Sequence, residues 1–355
     1  MATIQQSDGA EQTSGPVLRR YWVRLAIVAI TIVVAGVGVA VVFARGGGVS
    51  KKANTDGVVA TLHLAGRPNG IAAAAPGALW VSLIYPDLVT SKIERLDLAT
   101  GAVQHTVLIK GIASATIRAG DSLWVGSNRD FDDTKPGSFR KLDWNTGAVK
   151  EIIPFDRPVF GIAYGGGSLW FVVGRAPATL VRIDPRTSRA VGKPIQLAAT
   201  RVIGLAFGAG AVWATAVEEG TLIRIDPKTG RITTVKVGDQ PVGVVVSGGR
   251  VWVANRGSGT ISRVDPTTMR EDGHRIDVGT TPTWLAPAAG SIWVSNQSDG
   301  TVSRIDEKTG KTIGSPIRIA APTNDAAAHV MSVADGSLWV ASATERTLSR
   351  IGPNP

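Results

Sequence analysis

The stretch VWVANRGSGTISRVDPTT, Val251–Thr268, decides the fold. Val251–Ala254 is a short apolar strand centred on Trp252, and Arg256-Gly257-Ser258-Gly259 is a tight polar turn. Thr260–Asp265 is a second strand with side chains alternating between two faces, and Pro266 closes it. Upstream, Val242–Val246 leads into the Gly248-Gly249 turn, and downstream His274–Val278 supplies a fourth strand. Four short antiparallel strands joined by Gly, Pro, Asn and Asp turns make one hairpin-built unit.

The unit recurs. Trp80, Trp124, Trp170, Trp213, Trp252, Trp293 and Trp339 follow one another at intervals of 44, 46, 43, 39, 41 and 46 residues, taking seven of the ten tryptophans into one register. Each is followed by a basic-aliphatic pair, as in Arg95-Leu96-Asp97, Arg182-Ile183-Asp184 and Arg304-Ile305-Asp306; the last reads Arg350-Ile351-Gly352. A four-stranded unit of about 40–45 residues repeated around an axis is a propeller blade. The reading is all-β, a seven-bladed β-propeller over residues 57–352, with 353–355 a short tail. The chain stops after the third strand of the seventh unit, and one unclaimed strand, Val58–Leu64, precedes the first. That strand is expected to close the ring as the outer strand of the last blade, covering an edge otherwise open to pairing. The repeated Trp is expected to fill the space between blades, and the repeated Arg to lie along apolar surface and cap a blade junction.

Ahead of the propeller, residues 1–24 read as a disordered cytoplasmic tail, 25–44 as a transmembrane helix and 45–56 as a flexible linker. Leu25–Phe43 contains 19 residues without a charge, a helix of roughly 28 Å, about the hydrocarbon thickness. Arg19, Arg20 and Arg24 beside Tyr21 and Trp22 suit a membrane interface. Basic residues tie across the span, so the short tail argues the orientation: N-terminus cytoplasmic, propeller outside, the protein single-pass in the cell membrane. Secretion after cleavage near Ala44 is the alternative.

The formal net charge is +10, but basic residues recur once per repeat and do not cluster, so no nucleic-acid partner is expected. There is no cysteine, which excludes disulfides and thiolate chemistry. The propeller is expected to be monomeric.

Repeats such as VWVANRGSGTISRVDPTT and IWVSNQSDGTVSRIDEKTGKTI resemble the YVTN-type propeller repeat. Pro68-Asn69-Gly70-Ile71-Ala72 with Leu79-Trp80, and Phe160-Gly161-Ile162-Ala163 with Leu169-Trp170, resemble the virginiamycin B lyase (streptogramin lyase) group. That resemblance implies a seven-bladed ring whose top face carries His and Glu for a divalent metal and an elimination. In that group a Thr-Glu pair follows the Leu-Trp-Phe. Three residues past each Trp this chain has Leu83, Ser127, Val173, Ala216, Asn255, Asn296 and Ser342, so no catalytic residue carries over.

Ligands are expected at the top face, where the inner strands begin and the second and third strands meet. Counting from the Trp places Asn69, Ser114, Phe160, Ile203, Val242, Thr283 and His329 around the channel mouth, and His329 is the ring's titratable member and the one catalytic candidate. Arg129, Asp130, Asp132, Arg175, Glu218, Glu219, Asn255, Arg256, Asn296 and Arg346 are the further ligand-binding candidates on that face. No cofactor is required by any motif; Asp130 and Asp132 could contribute to a Ca²⁺ or Mg²⁺ site. Two functions stay open: a binding module for a protein, glycan or envelope ligand, or a metal-dependent lyase of the virginiamycin B lyase type.

Overall fold

The computed structural model describes residues 49–50, 57–73, 76–85, 90–129, 135–323 and 329–352. The chain divides into two compact units, Met1–Ala44 and Arg45–Pro355, and all the described residues belong to the second. The transmembrane helix read over residues 25–44 lies outside them, as do Asp130 and Asp132. No helix among the described residues is long and apolar enough to cross a membrane.

The described strands form seven antiparallel sheets arranged as blades. Each inner strand lies against the inner strand of the next blade, and the seventh lies against the first, so the ring is closed. The first blade runs Arg67–Ala73, Ala78–Ile84, Thr90–Asp97 and Val103–Lys110. The fifth runs Pro241–Ser247, Arg250–Asn255 and Thr260–Asp265, and its outer strand is split into Arg270–Glu271 and Ile276–Asp277. The split falls where Asp272 turns inward to Arg250 and Arg263 and its N–H bonds Arg263 O at 2.6 Å. Gly273, at φ 65°, then reverses the chain.

Closure follows the strand count. Val58–His63 pairs antiparallel with Thr347–Ile351, with Thr61 opposite Ser349 and His63 opposite Thr347. Its outer edge is extended by a two-residue strand inside the expected linker, Val49 opposite Leu62 and Ser50 opposite Thr61. An open edge presents unpaired N–H and C=O groups, and Val49 favours the extended backbone that reaches them.

The repeated pair of residues explains how blades adhere. In all seven blades the Trp of the second strand stands directly opposite the basic residue of the third: Trp80 and Arg95, Trp124 and Lys141, Trp170 and Arg182, Trp213 and Arg224, Trp252 and Arg263, Trp293 and Arg304, Trp339 and Arg350. The indoles are buried. Arg182 stacks on Trp170 at 5.1 Å and Arg304 on Trp293 at 5.2 Å, cation on ring face. The same side chains reach to the following blade: Lys141 Nζ donates to Pro185 O at 2.6 Å, and Arg182 Nη1 to Pro227 O at 3.3 Å. Trp80 Nε1 donates across the first junction to Trp144 O at 2.9 Å.

The acidic residue after each of the first six pairs works at the opposite end of the ring from the channel mouth. Asp97 Oδ1 accepts the N–H of Ala99 and Thr100 and the Thr100 hydroxyl. Asp143, Asp226 and Asp265 accept the same pair of N–H groups from the two and three residues that follow. These carboxylates cap the turn into the outer strand.

Candidate functional site

Strand direction gathers the starts of the inner strands and the turns between second and third strands at one end, the top face. The inner strands begin irregularly. In blades one to six the ladder to the second strand slips near its top, between Pro68 and Gly70, Ala113 and Thr116, Val159 and Ile162, Val202 and Leu205, Pro241 and Val244, and Pro282 and Leu285. Hydroxyls on the second strands brace these bulges: Thr215 Oγ1 accepts from Gly204 N at 2.9 Å and donates to Val242 O of the next blade at 2.8 Å. Blade seven has no slip, and its ladder runs from His329 opposite Ser342 to Ala334 opposite Ser337.

This corrects the expected ring of mouth residues. Counting from the Trp aligns His329 with Asn69 and Phe160, but a bulge adds residues on one strand only. In the ladder, His329 stands level with Pro68, Ala113, Val159, Val202, Pro241 and Pro282, residues that are all buried. His329 is itself fully buried, and among the described residues neither ring nitrogen has a hydrogen-bond partner. Burial pushes its pKa down to about 4, so the imidazole is neutral at pH 7.

Several other expected ligand residues are internal ties. Asn69 Nδ2 donates to Ala113 O of the second blade at 2.9 Å. Asn255, fully buried, accepts from Gly238 N at 3.1 Å and donates to Thr260 Oγ1 and Ser262 Oγ at 3.1 and 2.9 Å. Asn296 is equally buried and donates to Thr301 Oγ1 and Ser303 Oγ at 3.1 and 2.8 Å. Glu219 Oε1 accepts from Thr200 N at 2.8 Å. Asn128 belongs with them and was not singled out by its sequence. Its Nδ2 donates to Val159 O and its Oδ1 accepts from Val159 N, both at 2.9 Å, clamping the second blade to the third.

The remaining candidates face outward. Arg129, Glu218 and Arg346 are exposed. Glu218 lies 3.8 Å from Arg201, and the Arg346 carbonyl accepts from Leu64 N at 2.8 Å. Arg256 is half-buried, with its backbone N–H on Gln240 O. Arg175 stacks over the bulged Phe160 at 5.2 Å. Among the described residues no group of three or more acidic or His side chains could hold a metal ion, and the Asp130 and Asp132 loop falls outside them.

The top face also carries a residue that the repeat pattern concealed. Trp284, in the sixth bulge, is 44% exposed. Its signal was its place among the three tryptophans outside the seven-fold register.

Residues 161–269 match the family model of a repeat of unknown function, DUF6923. No curated protein matches the chain in sequence. Among solved structures, a streptogramin B lyase superimposes with a TM-score of 0.64 at 17% identity, covering 81% of this chain and 95% of that one. The likeness is one of fold. A catalytically inactive histidine-to-alanine variant of virginiamycin B lyase from Staphylococcus aureus with quinupristin gives the same TM-score at 16% identity, with coverage of 82% and 97%. The Pan2 WD40 domain of Neurospora crassa, at 12% identity and a TM-score of 0.62, covers 82% of this chain and 90% of its own. The propeller thus resembles the streptogramin lyases in architecture, as its repeats suggest, and other solved structures to a similar degree.

Proposed function

We propose that this protein is a membrane-tethered binding module, with its propeller outside the cytoplasm and its top face engaging a protein, glycan or envelope component. The observation that carries the reading is a division of labour on that face. Asn69, Asn128, Asn255, Asn296 and Glu219 are spent on holding blades and turns together, while Arg129, Glu218 and Arg346 stand exposed on a braced scaffold. Charged side chains presented by rigid turns suit recognition. The uncharged run Leu25–Phe43 supplies the tether.

The competing reading is a metal-dependent lyase, drawn from the likeness to streptogramin B lyase. His329 is its candidate base, and a general base works best with a pKa near the working pH and within reach of substrate. A fully buried imidazole lowered to about 4 favours binding over elimination. Protease treatment of intact cells expressing the full chain tests the tether: digestion of the propeller supports it, and resistance until the membrane is opened overturns it. Streptogramin cleavage by the purified chain with Mg²⁺, abolished by His329→Ala, would replace the binding reading with the lyase.

A further inference from the structure

The seven junctions between inner strands are unequal, and the sixth presents an aromatic ring where its neighbours have none. In blades three to five a glycine occupies the bulge because the next blade's bulge presses on it. A Cβ on Gly161 would lie 2.4 Å from Ile203 O, on Gly204 2.2 Å from Val242 O, and on Gly243 2.2 Å from Thr283 O. Those approaches exclude any side chain. The described inner strand of blade seven, His329–Ala334, pairs without a bulge, and at the sixth junction the bulge carries Trp284 in place of a glycine.

Its base is held firmly. Trp284 N donates to Ser295 Oγ at 3.1 Å, and Thr283 Oγ1 lies 3.0 Å from the same oxygen. The hydroxyls of Thr281 and Ser298, 2.6 Å apart, stand on the neighbouring turn. Across the junction begins the strand of His329, whose two ring nitrogens lack partners among the described residues. The result is an exposed indole on a fixed backbone, with the hydroxyl of Thr283 on the adjacent residue and that of Thr281 three residues before it in the chain. A flat apolar face bordered by neutral hydrogen-bonding groups matches a pyranose ring, which has an apolar face of its own and hydroxyls at its edge.

We propose that the top of the junction between blades six and seven is a carbohydrate subsite, where a sugar of a neutral glycan stacks on Trp284 and bonds the Thr281, Thr283 and Ser298 hydroxyls. This rests on the reading of the chain as a binding module and names the ligand class for its top face.

The test is titration of the full-length chain with cellotriose, maltotriose and chitotriose, followed by tryptophan emission, with benzyl alcohol as an aryl probe. At least one trisaccharide binds saturably with a blue shift. Trp284→Ala weakens it about tenfold or more, and Trp284→Phe by no more than about threefold. Should Trp284→Ala melt early, Trp284→Leu, which keeps bulk without an aromatic face, weakens binding to the same extent. No trisaccharide binding, unchanged affinity in both non-aromatic variants, or binding of benzyl alcohol alone overturns the subsite. Capture of a protein partner that depends on Arg129 and Arg346, with no sugar bound, sinks the subsite and leaves the binding module standing.

Discussion

Asn128 offers the sharpest test of the claim that top-face amides are ties between blades. Its side chain makes two hydrogen bonds to one residue of the next blade, donating to Val159 O and accepting from Val159 N, each at 2.9 Å. Val159 is fully buried, so Asn128→Ala strands a backbone N–H and a C=O away from water. A buried polar group left unpaired costs about 1–3 kcal/mol, so the variant should lose roughly 2–4 kcal/mol after partial relaxation. Asn128→Asp is more discriminating. A carboxylate still accepts from Val159 N–H, but its second oxygen faces the Val159 carbonyl with no proton to share. It should be as damaging as Asn128→Ala at pH 7 and recover part of its stability near pH 4, where a protonated carboxyl donates again. Gly137→Ala attacks the same clamp, because its Cβ would lie 2.5 Å from Asn128 Oδ1 and 2.9 Å from Val159 N. Urea unfolding of the three variants, read by tryptophan emission, measures these losses. A loss below about 0.5 kcal/mol for Asn128→Ala, the range of ordinary surface changes, would refute the reasoning.

Three further outcomes are expected. Trp252→Ala, which empties a fully buried site between blades, should cost about 3–5 kcal/mol, whereas Trp284→Ala should stay within about 0.5 kcal/mol, both measured by urea unfolding. Ser188 stands in the outer turn at φ 57° with its hydroxyl buried and unpartnered, where the first blade has Gly101 at φ 73°. Ser188→Gly should therefore raise stability by about 0.5–1 kcal/mol in a thermal melt, a gain reduced by the freedom of glycine in the unfolded chain. The turn carboxylates set the acid limit. The Thr100 hydroxyl lowers the pKa of Asp97, the Thr146, Thr229, Thr268 and Thr309 N–H groups lower Asp143, Asp226, Asp265 and Asp306, and Arg186 lowers Asp184. Groups depressed in the folded state stabilise it above their unfolded pKa, about 3.9, and that contribution drains away as pH falls further. The melting temperature should hold from pH 7 to about 5 and drop below about 4, a drop shallower in an Asp97→Asn/Asp265→Asn double variant.

The ring was legible in the sequence because its cement is periodic. Trp252 and Arg263 recur because each of seven junctions needs the same large ring and the same long cation, and the structure sets each such pair directly across two strands. Closure was legible by counting strands, since one orphan strand before the first unit and one missing after the last leave a single arrangement without an open edge. The mouth was not. A bulge adds a residue without disturbing the alternation on either side, so counting from the Trp misaligned His329 with Asn69. Asn255 and Asn296 looked like ligand residues because polar turn residues usually face solvent, but an Asn at the end of a second strand can bond inward to the hydroxyls of the third. Trp284 is not legible in the sequence because its meaning depends on the unbulged inner strand of the following blade.

Closure of the ring by its N-terminal strand is the central claim, and the absence of cysteine makes it directly measurable. Thr61 stands opposite Ser349 in the ladder that joins the first strand to the last. Residues so paired have Cα atoms about 4.5–5.5 Å apart, within the span a disulfide bridges. Thr61→Cys with Ser349→Cys should cross-link on mild oxidation of the folded chain, read as a mobility shift reversed by a reductant. Thr61→Cys with Ser262→Cys, which places the second thiol in blade five, should stay reduced. A ring closed by Val58–His63 gives the first result and not the second; cross-linking of neither pair, or of both equally, would contradict it.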